Sequence, residues 1–426
     1  MFKNVVDLIN FIESQKRMNP KVSLDRFRKI CEIYGNPQNG LKYIHVGGTN
    51  GKGSTVSFIK NTLRDAGFNV ASYVSPYVIE FSERISYNDK FIDDKSLLEI
   101  GNYIVENYYK FEELDMDKPS FFEFVTLMAF IYFSRLENLD YVVLEVGLGG
   151  ILDATNIITP LVSVITNVNY DHMNVLGNTL SEIAYNKLGI VKEGIPLVTI
   201  YNEEIIDQIK MHTSKLNSDL IVVNKDDIND LDLDFKHTSF SYKEFKDVSL
   251  KLLGRHQAEN AAIAIEVFKI LKNKYNIKLD IENLYQGLEK TIWPGRLQVV
   301  HTDPTVLLDG AHNIDGIRRL TEFIKDVKAD KFVKIIFAVS SNKQKEEMIE
   351  MLESVTDEII FSSFHYKRSD TAVNLIELSH HKNKRVEDDL EKLVQEAKND
   401  KEKLIIFCGS LYFVSELIAL FNPKNN

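Results

Sequence analysis

A glycine-rich segment near the start of the chain carries the clearest chemical signal in the sequence. Residues 47–54 read Gly-Gly-Thr-Asn-Gly-Lys-Gly-Ser and follow a short apolar run, 43–46, that predicts a strand. Glycines let a backbone curl so that its N–H groups point at phosphate oxygens, and the N-terminus of the following helix adds positive potential. We therefore predict a nucleotide-phosphate loop, in which Lys52 reaches the β- and γ-phosphates and the hydroxyl of Ser54 or Thr55 faces Mg²⁺.

Two other interpretations of this nucleotide signal are weaker. The loop departs from the strict Walker spacing, because Val46 replaces its first glycine and Gly53 follows Lys52 where that pattern has Ser or Thr. A tight strand-to-helix turn with an incidental lysine is therefore the alternative. Residues 224–227, Asn-Lys-Asp-Asp, match the guanine-reading motif of GTPases, but a GTPase also needs Asp-x-x-Gly at a strand end. Residues 145–148 are Glu-Val-Gly-Leu, which disfavours a GTPase.

Polar side chains follow two further strand-like runs. Glu145 ends the apolar run 141–144, and Asp171 and His172 come shortly after the run 161–165. The carboxyl ends of parallel strands form the ligand-binding edge of an α/β sheet, so these groups are expected beside the phosphate loop. There they would contact a metal ion or phosphate. The alternatives are an exposed strand-end acid and a structural histidine.

Length and composition bound the class of protein. The chain has 426 residues, which suggests two domains, and its net charge of −11 argues against a general affinity for nucleic acid. Cys31 and Cys408 lie too far apart in sequence to suggest a metal motif or a disulfide framework. The first ten residues lack a signal-peptide pattern, and the longest apolar run, 124–133, is too short to span a bilayer. A cytoplasmic protein without membrane attachment is expected.

The order of strand-like and helix-like segments predicts two α/β domains. We place an N-terminal domain at 1–296 and a smaller C-terminal domain at 297–426, joined at the Trp-Pro-Gly-Arg segment 293–296. Residues 201–250 look polar and poor in strands. Helices are predicted at 2–12, 55–66, 124–133 and 315–327. Strands are predicted at 43–46, 69–74, 141–144, 161–165, 306–308, 334–339, 358–361 and 403–407.

Five separated segments give the chain a family resemblance that extends from about residue 2 to 420. They are residues 45–54, 73–77 with 81–85, 145–156, 293–296 and 308–313. Together they resemble the folylpolyglutamate synthase and dihydrofolate synthase family of the Mur ligase superfamily. The resemblance implies an α/β protein with a P-loop-type ATPase domain of mostly parallel sheet, a smaller Rossmann-like domain, and an active site between them.

The same resemblance implies an activity. Members join L-glutamate to a reduced folate with ATP, through an acyl phosphate, and some also convert dihydropteroate into dihydrofolate. The implied partners are thus ATP, L-glutamate and a reduced folate or dihydropteroate, with two Mg²⁺ ions, and a monomer is expected. Two departures lie near the expected pterin site. Ile151 stands where bifunctional members often carry Arg, and Tyr77 stands where His is common. They leave acceptance of dihydropteroate open.

Site roles also carry over from the resemblance, residue by residue. The catalytic set is Lys52, Glu145, His172 and Lys187. The implied ATP-binding residues are Gly48, Thr49, Asn50, Gly51, Lys52, Gly53, Ser54, Asn260, Arg296 and Asp309, and the implied substrate-binding residues are His312 and Ser410. The implied metal ligands are Ser75, Glu145, His172 and a carbamylated Lys187. Carbamylation would turn an ammonium that repels Mg²⁺ into an oxygen ligand, although composition alone would make Lys187 a surface lysine.

The sequence leaves two rival functions open. A cell-wall amino-acid ligase would need a nucleotide-sugar-binding domain before the phosphate loop, and only residues 1–46 precede it. A nucleotide-dependent switch or binding protein would share the loop but would release no phosphate in response to glutamate.

Overall fold

The structure is a computed structural model that describes residues 1–16, 23–341, 343–366, 368–401 and 403–422. The chain forms two compact units. The first comprises Met1–Lys225 with Asn260–Leu288, and the second comprises Asp226–Glu259 with Glu289–Asn426. The second unit therefore takes in residues 226–259 and 289–296, which lie before the boundary predicted between 296 and 297. That boundary stays a prediction.

An eight-stranded, mostly parallel sheet forms the centre of the first unit. In chain order its strands are β1 (Tyr43–Gly47), β2 (Val70–Tyr73), β3 (Ile85–Tyr87), β4 (Lys90–Phe91), β5 (Tyr141–Glu145), β6 (Val162–Ile165), β7 (Leu197–Ile200) and β8 (Leu220–Val223). Their spatial order is β4-β3-β2-β5-β1-β6-β7-β8, and only the pairs β2–β3 and β3–β4 are antiparallel. Every residue of β1, β5 and β6 is buried, as expected of strands covered on both faces.

Helices make up much of the rest of this unit. They are α1 (Val5–Ser14), α2 (Asp25–Ile33), α3 (Lys52–Asp65), α4 (Asp94–Glu106), α5 (Tyr109–Glu113), α6 (Phe121–Ser134), α7 (Met173–Leu176), α8 (Leu180–Leu188), α9 (Ile206–Lys215), α10 (Arg255–Asn273, which begins in residues of the second unit) and α11 (Ile281–Glu289). The predicted helices at 2–12, 55–66 and 124–133 correspond to α1, α3 and α6. Helix α6 is apolar all round because it is buried in the core. Within the described residues, no helix is both long enough and apolar enough to cross a membrane.

The second unit holds two sheets. A three-stranded antiparallel sheet consists of β9 (Ile228–Leu233), β10 (Thr238–Tyr242) and β11 (Phe245–Leu250). The other sheet consists of β12 (Gln298–Thr302), β13 (Thr305–Asp309), β14 (Phe332–Phe337), β15 (Glu358–Phe361), β16 (Lys384–Val386) and β17 (Lys403–Cys408), in the spatial order β12-β13-β17-β14-β15-β16. All its pairs except β12–β13 are parallel. Its helices are α12 (Ile314–Val327), α13 (Lys345–Glu353), α14 (Ala372–Glu377), α15 (Leu390–Asn399) and α16 (Leu411–Phe421).

The prediction that residues 201–250 are poor in strands was wrong. This polar stretch holds α9 and four strands, β8 to β11. The antiparallel strands bury one face, including Phe240 and Val248, while polar residues such as Asp247 stay exposed on the other. Strands with one solvent-exposed face contain too few apolar residues to be recognised as strands from composition alone.

Candidate active site

The glycine-rich loop connects β1 to α3, as its position in the sequence predicts. Its backbone is held by residues that follow β6, the strand beside β1. Asn167 accepts hydrogen bonds from the N–H groups of Thr49 and Asn50, with its side-chain oxygen at 3.2 and 2.9 Å from the two nitrogens. The hydroxyl of Thr166 donates to the carbonyl of Asn50 over 2.6 Å. Because the N–H groups of Thr49 and Asn50 already donate to Asn167, these two residues would contact ATP through other atoms. The N–H groups in the first turn of α3 have no acceptor within the helix, so they are the backbone donors suited to an anion.

Two positions in the loop require glycine. Gly48 and Gly51 have φ angles of +143° and +80°, which side chains rarely adopt. A Cβ on Gly48 would lie 1.9 Å from the hydroxyl oxygen of Thr166, and a Cβ on Gly51 would lie 2.3 Å from the side-chain oxygen of Asn260. The loop therefore fits closely against β6 on one side and α10 on the other.

Two lysines converge on this loop. The Lys52 ammonium donates to the carbonyls of Gly48 at 3.3 Å and Thr49 at 3.1 Å. The Lys187 ammonium donates to the same Gly48 carbonyl at 2.8 Å, from a position only 3% exposed on α8. The surface position suggested for Lys187 by composition is therefore wrong. The ammonium of Lys52 places positive charge beside the loop, which suits a polyphosphate.

Burial gives Lys187 an unusual titration. Desolvation, together with the nearby charge of Lys52, lowers its pKa to about 7, although Asp171 acts in the opposite direction. A large fraction of this side chain is thus the neutral amine near neutral pH. That is the form a lysine needs to react with carbon dioxide.

Glu145 ends β5 and lies beside the loop. In the sheet register it pairs with Val46, directly before the first glycines. Its carboxylate is 4% exposed and accepts a hydrogen bond from the N–H of Ser75 over 3.1 Å. Ser75 follows β2, the next strand across the sheet. A hydroxyl and a carboxylate therefore lie at neighbouring strand ends, next to the phosphate loop.

His172 is more exposed than the other predicted residues. It lies in the turn before α7 with a φ of +51°, and half of its side-chain surface is open to solvent. The carboxylate of Asp171 accepts a hydrogen bond from the His172 backbone N–H at 2.9 Å, and its oxygen lies 4.0 Å from the imidazole Nε2. Two residues before Asp171, Asn169 donates its N–H to the hydroxyl of Thr49 at 3.0 Å, which places this turn near the loop.

The donors that Glu145 and Ser75 offer beside the loop are oxygen atoms. The described residues contain no group of three or more His, Cys, Asp and Glu side chains that could hold a metal ion. Mg²⁺ prefers oxygen ligands and commonly uses one or two protein carboxylates together with substrate phosphates and waters. The buried Glu145 carboxylate and the Ser75 hydroxyl fit that requirement.

The predicted residues of the second unit lie at one edge of its six-stranded sheet. Asp309 ends β13 and accepts hydrogen bonds from the N–H groups of Leu297 and Ala311, each at 2.8 Å. Burial raises the pKa of Asp309, while Arg296 and these two N–H groups partly oppose the shift. Asp309 pairs with Cys408 across to β17, after which Ser410 caps α16 by accepting from the Tyr412 N–H at 3.2 Å.

His312 belongs to the same edge. Its imidazole Nδ1 lies 2.8 Å from the carbonyl of Gly310, directly after β13, and its side chain is half-buried. The described structure thus brings Asp309, His312 and Ser410 to adjacent strand ends of one sheet.

The residues that hold the loop were not predicted from the sequence. Thr166 and Asn167 follow β6, and Asn169 donates its N–H to the Thr49 hydroxyl at 3.0 Å. A threonine and two asparagines directly after a buried strand, in the segment that leads to Asp171, are the signal that could have identified them.

Comparison with known proteins identifies the family. The profile of the Mur ligase middle domain matches residues 46–268, and that of the dihydrofolate synthetase C-terminal domain matches residues 296–420. The chain belongs to the Mur ligase family. The dihydrofolate synthase/folylpolyglutamate synthase of Bacillus subtilis (strain 168) is 36% identical over 98% of this chain and 99% of its own length.

Solved structures of this family match over almost the whole chain. The apo form of L. casei FPGS is 28% identical and has a TM-score of 0.86, with 98% of this chain and 99% of that chain covered. E. coli FolC in complex with DHPP and ADP is 25% identical and also has a TM-score of 0.86, with 100% of this chain and 99% of that chain covered. The predicted fold class, two α/β parts of the Mur ligase type, is confirmed.

Proposed function

We propose that this Mur ligase is an ATP-dependent amide ligase that joins L-glutamate to the carboxylate of a folate. The observation that carries the proposal is the convergence of Lys52 and Lys187 on the carbonyl of Gly48, beside the buried Glu145. It occurs in a chain that matches a dihydrofolate synthase/folylpolyglutamate synthase over 98% of its length.

The first step activates the folate carboxylate. A carboxylate does not form an amide in water at a useful rate because its oxygen is a poor leaving group. One carboxylate oxygen attacks the γ-phosphorus of ATP in line, the bond from that phosphorus to the bridging oxygen breaks, and ADP leaves with the electron pair. The product is an acyl phosphate. Lys52 and the N–H groups of the first turn of α3 stabilise the negative charge on the phosphoryl oxygens.

The second step forms the amide. The neutral amine of L-glutamate attacks the acyl carbon, the bond to the phosphate oxygen breaks, and phosphate leaves with the electron pair. The amine gives up one proton as the amide forms. Water competes for the same acyl carbon, so the site has to exclude it during this step.

Mg²⁺ would be held by Glu145 and Ser75, with His172 and a carbamylated Lys187 proposed for a second ion. Bound there, it would neutralise charge on the ATP phosphates. The residues themselves prepare the site: the N–H of Ser75 orients the Glu145 carboxylate over 3.1 Å, and burial keeps that carboxylate out of bulk water.

Carbamylation of Lys187 is supported by its surroundings. Its amine is buried, has a pKa lowered to about 7, and lies beside the positive charge of Lys52. A carbamate would replace a like-charge contact by an attractive one. In the Lys187→Ala variant, short carboxylates such as acetate should restore part of the ligase activity. Activity that does not respond to them would contradict the carbamate.

The second unit would hold the amino acid. We assign Asp309 and His312 to ATP or the incoming glutamate, Ser410 to glutamate, and Arg296 to phosphate. Their support is the shared sheet edge of Asp309, His312 and Ser410, together with the interaction of Arg296 with the buried Asp309. Asn260, whose side chain abuts Gly51, is assigned to ATP.

Whether dihydropteroate is a second acceptor is a separate question. The Bacillus subtilis relative carries both synthase names, and the E. coli relative binds DHPP. Ile151 and Tyr77 are the departures that bear on it. Mass spectrometry of the products from dihydropteroate and from tetrahydrofolate, each with ATP and glutamate, decides which acceptors are used.

The test of the main proposal is glutamate-dependent phosphate release. Protein, ATP, glutamate and tetrahydrofolate should release phosphate and give a product heavier by one glutamyl residue. A nucleotide-dependent switch would show no glutamate dependence, and that result would overturn the proposal.

A further inference from the structure

Two successive peptide groups of the phosphate loop present their carbonyls to Lys52. One peptide group carries the Gly48 carbonyl and the Thr49 N–H, and the next carries the Thr49 carbonyl and the Asn50 N–H. The Lys52 ammonium donates to the Gly48 carbonyl at 3.3 Å and to the Thr49 carbonyl at 3.1 Å. Both peptide bonds are trans, so the C=O and N–H of each group point in opposite directions. The two N–H groups therefore face away from the ammonium.

Asn167 accepts both of these N–H groups. Asn50 donates its N–H to the side-chain oxygen of Asn167 at 2.9 Å. The N–H of Thr49 is shared between that oxygen at 3.2 Å and the backbone carbonyl of Asn167 at 3.0 Å. Each peptide group thus lies between the oxygen of a side-chain amide at its N–H end and a lysine ammonium at its C=O end.

The segment that carries Asn167 is itself joined to the loop. Asn167 is half-buried and follows β6, the strand beside β1. Two residues later, Asn169 donates its N–H to the Thr49 hydroxyl at 3.0 Å, and that hydroxyl donates to the Asn169 carbonyl at 3.1 Å. The amide of Asn167 is therefore held in place from both sides of its contact with the loop.

We propose that Asn167 is a positioning residue that acts on ATP through Lys52. By holding the N–H ends of the two peptide groups, its side-chain oxygen fixes the two carbonyls on which the ammonium lies before ATP binds. This inference rests on the proposed function and identifies what prepares Lys52 for the phosphates. If either peptide group turned over, an N–H would face the ammonium, which has donors and no acceptor. Gly48 at the start of this segment gives the backbone the freedom to turn in this way.

The first test removes the acceptor with Asn167→Leu, which keeps a branched side chain but offers no oxygen. Two hydrogen bonds to the loop are lost, so calorimetric titration should show an affinity for ATP about tenfold weaker than that of the wild type. Misplacement of the ammonium should also lower kcat for ligation by about 30-fold.

Asn102→Leu is the matched control. Asn102 is also half-buried, and its side chain accepts the Phe2 N–H at 2.7 Å and donates to the Phe2 carbonyl at 3.0 Å. Its replacement should lower the melting temperature and leave both the ATP affinity and kcat at their wild-type values. An ATP affinity and kcat of Asn167→Leu within about twofold of the wild type would overturn the proposal.

The second test asks whether Asn167 acts through Lys52. Residues that act as a unit have effects that do not add. Introduced into Lys52→Ala, Asn167→Leu should therefore change the ATP affinity and kcat by no more than about twofold. A loss as large as the one in the wild-type background would show that Asn167 acts independently of Lys52, and would also overturn the proposal.

A second variant covers the case in which Asn167→Leu does not fold. Asn167→Gln keeps the amide but moves its oxygen by one methylene group, so the same losses are expected, and a wild-type ATP affinity would overturn the inference. The ATP titration does not depend on ligation. An absence of glutamate-dependent phosphate release by the wild type would therefore overturn the proposed function, while the titration still decides the role of Asn167.

Discussion

The close fit of the phosphate loop can be tested by adding one methyl group. Gly51 is the residue before α3, has a φ of +80°, and faces Asn260 so closely that a Cβ would lie 2.3 Å from its side-chain oxygen. Gly51→Ala therefore combines backbone strain with a collision. Gly67 is the matched control, because its φ is +86° but a Cβ there would meet no atom within 4 Å.

Gly51→Ala and Gly67→Ala should differ in the free energy of unfolding by the cost of the collision with Asn260. Forcing a residue with a Cβ into the left-handed region costs roughly 1 kcal/mol, so Gly67→Ala should lower the free energy of unfolding by about that amount. Gly51→Ala has the same strain, and the buried Asn260 has to move, which adds about 1–3 kcal/mol as in overpacked cores. Displacement of the loop by about 1 Å should also reduce kcat/KM for ligation by about 100-fold, whereas Gly67→Ala should keep the wild-type value.

Urea unfolding of both single variants, of Asn260→Ala and of the double variant Gly51→Ala/Asn260→Ala measures these effects. Removing the Asn260 side chain should relieve the collision, so the double variant should be about 1–3 kcal/mol more stable than the sum of the single losses predicts. Additive losses, or equal losses for Gly51→Ala and Gly67→Ala, would refute the fit of the loop described here.

Three further predictions concern the charged groups. Lys52→Ala should lower kcat by about 100-fold or more while the melting temperature stays close to that of the wild type, and near-normal turnover would contradict its role at the phosphates. Glu145→Ala should raise the Mg²⁺ concentration needed for half-maximal activity at least about tenfold, and an unchanged Mg²⁺ dependence would exclude Glu145 as a ligand. Burial lowers the pKa of Lys187 from 10.5 to about 7, so between pH 7 and 10.5 the unfolded chain binds more protons than the folded chain. The free energy of unfolding should therefore rise with pH across this window, by up to about 1.4 kcal/mol per pH unit. Lys187→Met should lose that slope in carbon dioxide-free buffer containing EDTA, and parallel pH profiles for the two proteins would show that Lys187 titrates normally.

The parallel core of the first unit was predictable because its strands are short apolar runs with informative neighbours. The runs at 43–46, 141–144 and 161–165 correspond to β1, β5 and β6, which are adjacent in the sheet. Glycines follow the run 43–46, and Glu145 follows the run 141–144. Because the carboxyl ends of parallel strands lie at the same edge of a sheet, these residues were expected to lie close together. The antiparallel strands within 201–250 were not predicted, because the polar residues on their exposed faces interrupt the apolar runs that indicate a strand.

The details of the site depend on contacts that a single sequence does not show. Lys187 looks like a surface lysine on α8, and only the fold reveals that it is buried against the Gly48 carbonyl. Asn167 was not selected because an asparagine after a strand has many uses.

The transfer of oxygen from folate to phosphate tests the central claim most directly. With tetrahydrofolate that carries ¹⁸O in the reacting carboxylate, attack on the γ-phosphorus followed by loss of phosphate moves one carboxylate oxygen into the released phosphate. Mass spectrometry of the phosphate should therefore find one ¹⁸O for each glutamate added. Phosphate without the label, released while the amide forms, would contradict an acyl phosphate intermediate.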